Sequence, residues 1–172
     1  MRQLFVPKLF EPPQKTILSD DYYAVPIQVK DVDEDWRVIT TNADAIFLTR
    51  GAGSRREWPF NCSLEENRKD LSWLEECADY KQLFSYIIRR KTDDIYVGCV
   101  YIYPIELQFS DKADKYDVDF SFWIIQSEFD NGNYEKIFDL LTDWLKKDWP
   151  FQIERVFLRN KLLPEKYQKL NR

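Results

Sequence analysis

Between residues 118 and 125 the chain changes its hydrophobic rhythm. Val118, Phe120 and Phe122 alternate with Asp119 and Ser121, after which Trp123, Ile124 and Ile125 make both sides apolar. A strand that passes from a sheet margin into a covered interior reads this way. Residues 126–133 follow as a polar loop whose turn is Asp130-Asn131-Gly132-Asn133. Ile137, Phe138, Leu140, Leu141, Trp144 and Leu145 then recur at three- and four-residue spacing, with Glu135, Lys136, Asp139, Asp143 and Lys146 opposite them. That spacing predicts an amphipathic helix. A strand entering a helix through a glycine turn presents backbone N–H groups at the helix start, where phosphates bind.

The other elements follow from similar patterns. Residues 1–20, with Pro7, Pro12 and Pro13, read as an arm pinned by Phe5 and Phe10, and residues 21–172 as a single domain. Residues 22–27 predict a first strand, and Pro26 an edge position for it. A helix is expected over roughly residues 33–48, and residues 51–56 are expected as a loop. Ser63 and Glu66 have the spacing of a capping box, so a second helix should run from there to Asp79. Residues 83–88 and 95–103 predict an antiparallel hairpin closed by the polar turn 89–94. After the amphipathic helix, Trp149-Pro150 breaks the pattern, residues 153–158 predict a last strand, and residues 164–170 a short terminal helix. Strand 118–125, its helix and strand 153–158 make a βαβ unit, so those two strands should lie parallel. The fold class is therefore α/β (α+β), with a mixed, mostly antiparallel twisted sheet flanked by helices.

Composition narrows the chemistry. At 172 residues, 44% hydrophobic and 16% aromatic, the chain has material for one real core. Its formal net charge of −5, with dispersed Lys and Arg, argues against a nucleic-acid partner. No apolar run approaches the ~18 residues of a membrane span, and nothing at the start reads as a signal peptide. A cytoplasmic protein is expected. Cys62, Cys77 and Cys99 fit neither a zinc knuckle nor a disulfide framework. The chain contains no histidine, which excludes Ser-His-Asp and Cys-His nucleophiles within it and the usual His-based metal sites.

The element order resembles that of the GCN5-related N-acetyltransferases. Val97-Gly98-Cys99-Val100-Tyr101-Ile102 is similar to the Gly-x-hydrophobic pattern of that family's third strand. Asn160 and Tyr167 stand seven apart, and Tyr167-Gln168-Lys169-Leu170 resembles the family's Tyr-Glu-Lys-Leu. The resemblance implies that the parallel βαβ strands splay at a cleft for acetyl-CoA. There Phe122, Trp123, Ile124, Ile125 and Gln126 would hold the pantetheine arm like an added strand, with phosphates over Gly132 and Asn133 and Asn160 nearby. It also implies acetyl transfer to an amine of a small molecule or peptide by direct attack on the thioester. Tyr167 would then protonate the leaving thiolate, and Asp119 or Glu106 would act as base. The acidic net charge favours a cationic acceptor.

The family's pyrophosphate loop reads Gln/Arg-x-x-Gly-x-Gly/Ala. With Gly132 as its first glycine, Phe129 takes the place of Gln/Arg and Tyr134 that of the small residue. A second expectation follows: a catalytically silent module of the same fold, binding a ligand or a protein through the cleft. A third is an oligomer, in the simplest case a homodimer, associating through aromatic surface. Tyr101 and Tyr103 are expected to line a pocket or to pack in the core, and the tryptophans to pack.

Overall fold

The computed structural model describes residues 4–50 and 58–159. Among these residues six strands form one sheet in sequence order: β1 (Thr16–Ile17), β2 (Tyr22–Pro26), β3 (Phe84–Arg90), β4 (Tyr96–Pro104), β5 (Val118–Ile124) and β6 (Val156–Leu158). All neighbours are antiparallel except β5 and β6, which run parallel as their helical crossover requires. Every residue of β5 is buried, which accounts for the loss of alternation in its second half.

The two faces differ in character. Phe84, Tyr86, Ile88, Val100, Ile102, Phe120 and Phe122 share one face through the register of β3, β4 and β5. On it lies the amphipathic helix α5 (Tyr134–Asp148), with Trp144 edge-on to Tyr86 at 5.0 Å and Tyr134 stacked on Phe122 at 5.2 Å. Phe5 and Phe10 tie the N-terminal segment to this side through Phe84 and Trp149. Burying each such ring contributes about 1.5–3 kcal/mol. Ser85, Ile87, Cys99, Tyr101, Tyr103, Asp119, Ser121 and Trp123 form the opposite face. It is roofed by α1 (Val32–Thr41) and α3 (Leu64–Asp79), through the Tyr96 hydroxyl on Asp35 and the Trp73–Tyr103 ring contact.

Several expectations hold in detail. Ser63 Oγ accepts from the Glu66 N–H at 3.2 Å, the Glu66 carboxylate accepts from the Ser63 N–H at 2.8 Å, and α3 starts there. Others need correction. The single helix expected over 33–48 is two, α1 and α2 (Ala43–Thr49), broken at Asn42, whose φ of −114° and ψ of 25° are not helical. Strand β2 is not the sheet edge, since β1 pairs with it opposite Tyr23 and Ala24. Pro26 lies past the end of β1, so its lack of an N–H disrupts no ladder. Within the expected loop 126–133 lies a short helix, α4 (Gln126–Asp130), closed by Gly132 at φ 74°. The last strand starts at Val156 rather than 153, because residues 153–155 form a 3-10 turn.

Candidate functional site

Strands β5 and β6 share only a short ladder. They pair at Val118–Val156, Asp119–Phe157 and Phe120–Leu158, and beyond Phe120 no strand among the described residues pairs with β5 on the side away from β4. The Ile125 N–H donates to Val97 O of β4 at 2.9 Å. Backbone donors alternate in direction along a strand, so the N–H groups of Ile124 and Gln126 point to the side of β5 away from β4. Helix α2 lies along it. Thr49 Oγ1 accepts from the Ile124 N–H at 3.2 Å while donating to Ala45 O at 2.7 Å, and Asn42 Oδ1 accepts from the Gln126 N–H at 3.0 Å. Both donors therefore face outward as an added strand would need, and both are bonded by side chains of α2 or the residue before it. Phe122 projects into the α5 face against Tyr134, whereas Trp123 projects to the opposite face and donates from Nε1 to the Tyr101 hydroxyl at 2.8 Å.

The start of α5 holds a carboxylate of the chain itself. Asn133 donates from Nδ2 to Glu128 Oε2 at 2.7 Å and from its backbone N–H to Glu128 O at 3.0 Å. Glu128 is buried and also accepts from the Tyr22 hydroxyl at 2.7 Å and Arg90 Nη1 at 2.7 Å. Burial and then the bond to Glu128 push the Tyr22 phenol well above its ordinary range. Gly132 supplies the left-handed turn that brings Asn133 round to Glu128. A phosphate at this helix start would sit beside a buried negative charge, so this end suits the anion less well than the β5 edge suits an extended arm.

Beyond Trp123, on the α1 and α3 side of the sheet, a cavity of about 660 Å³ opens, within the roughly 300–1,000 Å³ of small-molecule sites. Tyr101 and Tyr103 line it, the first of the two roles their sequence allowed, together with Asp35, Arg50, Asp70 and Arg159. The buried Asp35 accepts from the Tyr96 hydroxyl at 2.6 Å and from Asn67 Nδ2 at 2.8 Å. Loss of solvent raises its carboxyl above the usual range, against the opposing pull of those two bonds. Tyr96 also stacks on Trp123 at 5.7 Å, which links Asp35 through one ring to the last side chains of β5. The guanidinium of Arg50 lies 4.1 Å from the Tyr101 ring centre and 5.1 Å from that of Trp58. Burial pushes the Cys99 thiol up to about 12, so it remains a neutral packing group.

The carboxylates picked out by sequence lie elsewhere. Asp119 sits in the paired part of β5, 1% exposed. Its Oδ1 accepts from Arg159 Nε at 3.1 Å and its Oδ2 from Arg159 Nη2, whose other bond goes to Gln108 at 2.6 Å. With both oxygens on one guanidinium, Asp119 holds Arg159 in place. Glu106 is exposed on the 3-10 turn Ile105–Leu107. Asn160 and Tyr167 lie outside the described residues. Sequence reasoning missed Asp35, which stands among Asp31, Asp33 and Glu34 and reads there as one more solvated charge in a helix's first turn. Arg159 carried no signal beyond being a charge just after an apolar strand.

Among the described residues no helix is long and apolar enough to cross a membrane. No family model and no curated protein matches the chain. Solved structures do. An acetyl transferase from Salmonella typhimurium, which modifies the N-terminal serine of the 50S ribosomal subunit protein L7/L12, superposes with a TM-score of 0.55 at 14% identity, over 78% of this chain and 70% of that one. The ribosomal L7/L12 alpha-N-protein acetyltransferase RimL, in complex with coenzyme A, gives 0.57 at 16% identity, again over 78% and 70%. The ribosomal-protein-S5-alanine acetyltransferase of Vibrio fischeri gives 0.51 at 15%, over 80% and 67%. With its mostly antiparallel sheet, the one parallel pair among the described residues and these superpositions, the chain has the fold of the GCN5-related N-acetyltransferases.

Proposed function

We propose that the chain transfers the acetyl group of acetyl-CoA to an amine of a small molecule or peptide. The observation that carries this reading is the end of β5–β6 pairing at Phe120, beyond which the N–H groups of Ile124 and Gln126 point away from β4 and are bonded only by the side chains of Thr49 and Asn42 among the described residues. The structural neighbours named as acetyltransferases, one of them in complex with coenzyme A, support it. In this reading the pantetheine arm takes over the two N–H groups from Thr49 and Asn42, one acceptor replacing another at each. The amine nitrogen attacks the thioester carbonyl carbon, the C–S bond breaks, and the amine's proton goes in the end to the thiolate. Asp35 lines the cavity, and its raised carboxyl suits a base working nearer neutrality. Tyr167 keeps the role of acid, Asn160 and Asn133 stay with the cofactor, and Asp119 positions Arg159.

The Glu128 carboxylate at the start of α5 and the two bonded N–H groups favour a second reading, a silent binding module. Calorimetric titration with acetyl-CoA separates the two. A dissociation constant near micromolar, roughly −8 kcal/mol, followed by acetylated product in mass spectrometry of an amine panel, is the result expected. No heat at millimolar acetyl-CoA would retire the transferase.

A further inference from the structure

Two opposite charges face the same cavity without meeting. Arg50 forms no ion pair among the described residues, and its Nε is buried without a hydrogen-bond partner. Asp70, on α3 at the same cavity, likewise forms no ion pair among the described residues. Nor does any ion pair join the two. Arg159 adds a third group. It is 0% exposed, spends Nε and Nη2 on Asp119 and Gln108, and leaves the buried Nη1 without a partner. A buried guanidinium nitrogen with nothing to donate to is costly, and a carboxylate accepts from such a fork in good geometry. Trp73 and Leu107, two of the large apolar side chains left most exposed on the molecule at 45% and 50%, line the same cavity.

We propose that this cavity binds a free aromatic amino acid. Its carboxylate lies on Arg50 and on Nη1 of Arg159, its ammonium on Asp70, and its ring against Trp73 and Leu107. A single ligand carrying both charges satisfies groups of the chain that cannot satisfy one another. A phosphate dianion would bring a second negative charge against Asp35 and Asp70, so a monoanionic carboxylate is the better match. The assignment names the acceptor class for the acetyl transfer proposed above and rests on that reading for turnover, but not for binding.

The test is calorimetric titration of the full chain with L-phenylalanine, phenethylamine, 3-phenylpropionate and phenylalanylglycine. Phenylalanine should bind at least about tenfold more tightly than either single-charge analogue. Arg50→Gln should weaken phenylalanine by about tenfold and leave phenethylamine unchanged, whereas Asp70→Asn should weaken phenylalanine and leave 3-phenylpropionate unchanged. Asp70 is exposed on its helix, so that variant keeps the test alive should Arg50→Gln misfold. Equal binding of the three monomeric ligands, tighter binding of the dipeptide than of phenylalanine, or no saturation by phenylalanine at about 10 mM would overturn the proposal. Phenylalanine binding with no heat on acetyl-CoA addition and no acetylated product from any amine retires the transferase and keeps the site. Acetylation of phenethylamine as fast as phenylalanine does the reverse.

Discussion

Replacing Thr49 by valine tests whether α2 and the pantetheine arm compete for one donor. Both Thr49 and Ile124 are fully buried, and the Ile124 N–H has Thr49 Oγ1 as its acceptor at 3.2 Å. Valine keeps the branched shape and removes the oxygen. A buried N–H left without an acceptor costs about 1–3 kcal/mol. For a chain of this size that corresponds to a fall in Tm of about 2–12 °C. The same energy should return when acetyl-CoA offers a carbonyl to that N–H, because the variant has no internal bond to break. Acetyl-CoA should therefore bind Thr49→Val roughly fivefold to a hundredfold more tightly than the parent, and Thr49→Ser should match the parent in both respects. Urea denaturation gives the stability difference and calorimetry the affinity. Equal acetyl-CoA affinity in parent and Thr49→Val, with the stability loss present, would refute the competition; loss of affinity would make Thr49 part of the ligand site instead.

Two further outcomes follow from the buried carboxylates. Glu128→Ala strips the shared acceptor from Tyr22, Arg90 and Asn133 and should lower stability by about 3 kcal/mol, the low end for breaking a buried pair because Arg90 keeps Asp93. A urea midpoint unchanged from the parent would contradict that account. Asp35 has its carboxyl raised in the folded state, so the folded chain holds that proton more tightly than the unfolded one, and stability should fall as pH rises from about 4 through the raised value. Asp35→Asn should remove that part of the slope, and a stability difference between parent and variant that stays flat with pH would show that burial does not raise the carboxyl.

The parts of the fold visible in sequence are those set by local chemistry over many residues. The capping box at Ser63, the hairpin of β3 and β4, the face of α5 and the parallel return to β6 each rest on several agreeing positions. The break at Asn42 was hidden because apolar spacing continues across it, from Val38 and Ile39 to Ala45 and Ile46. What breaks the helix is tertiary: the Asn42 side chain is bonded to Gln126, 84 residues away. Helix α4 has five residues, too few to display a period. The candidate site was harder still to see. Asp119 has the polar, alternating setting of a solvated strand position, yet Arg159 turns it into half of a buried pair. Asp35, Arg50 and Asp70 come from three separate elements or their ends, and only the folded sheet gathers them around one cavity.

The side chains that bond the outward donors beside β5 also bear on how the molecule behaves in crowded solution. Among the described residues the outermost strands are short, two residues in β1 and three in β6, and offer little for another chain to extend. A further pair of outward donors lies at Ile124 and Gln126, where a peptide from a neighbouring molecule would pair once their acceptors moved away. Thr49 and Asn42 keep that edge out of reach. Any fluctuation that lifts α2 exposes it, so self-association at high concentration should follow the opening of this one short helix, well before the rest of the domain unfolds.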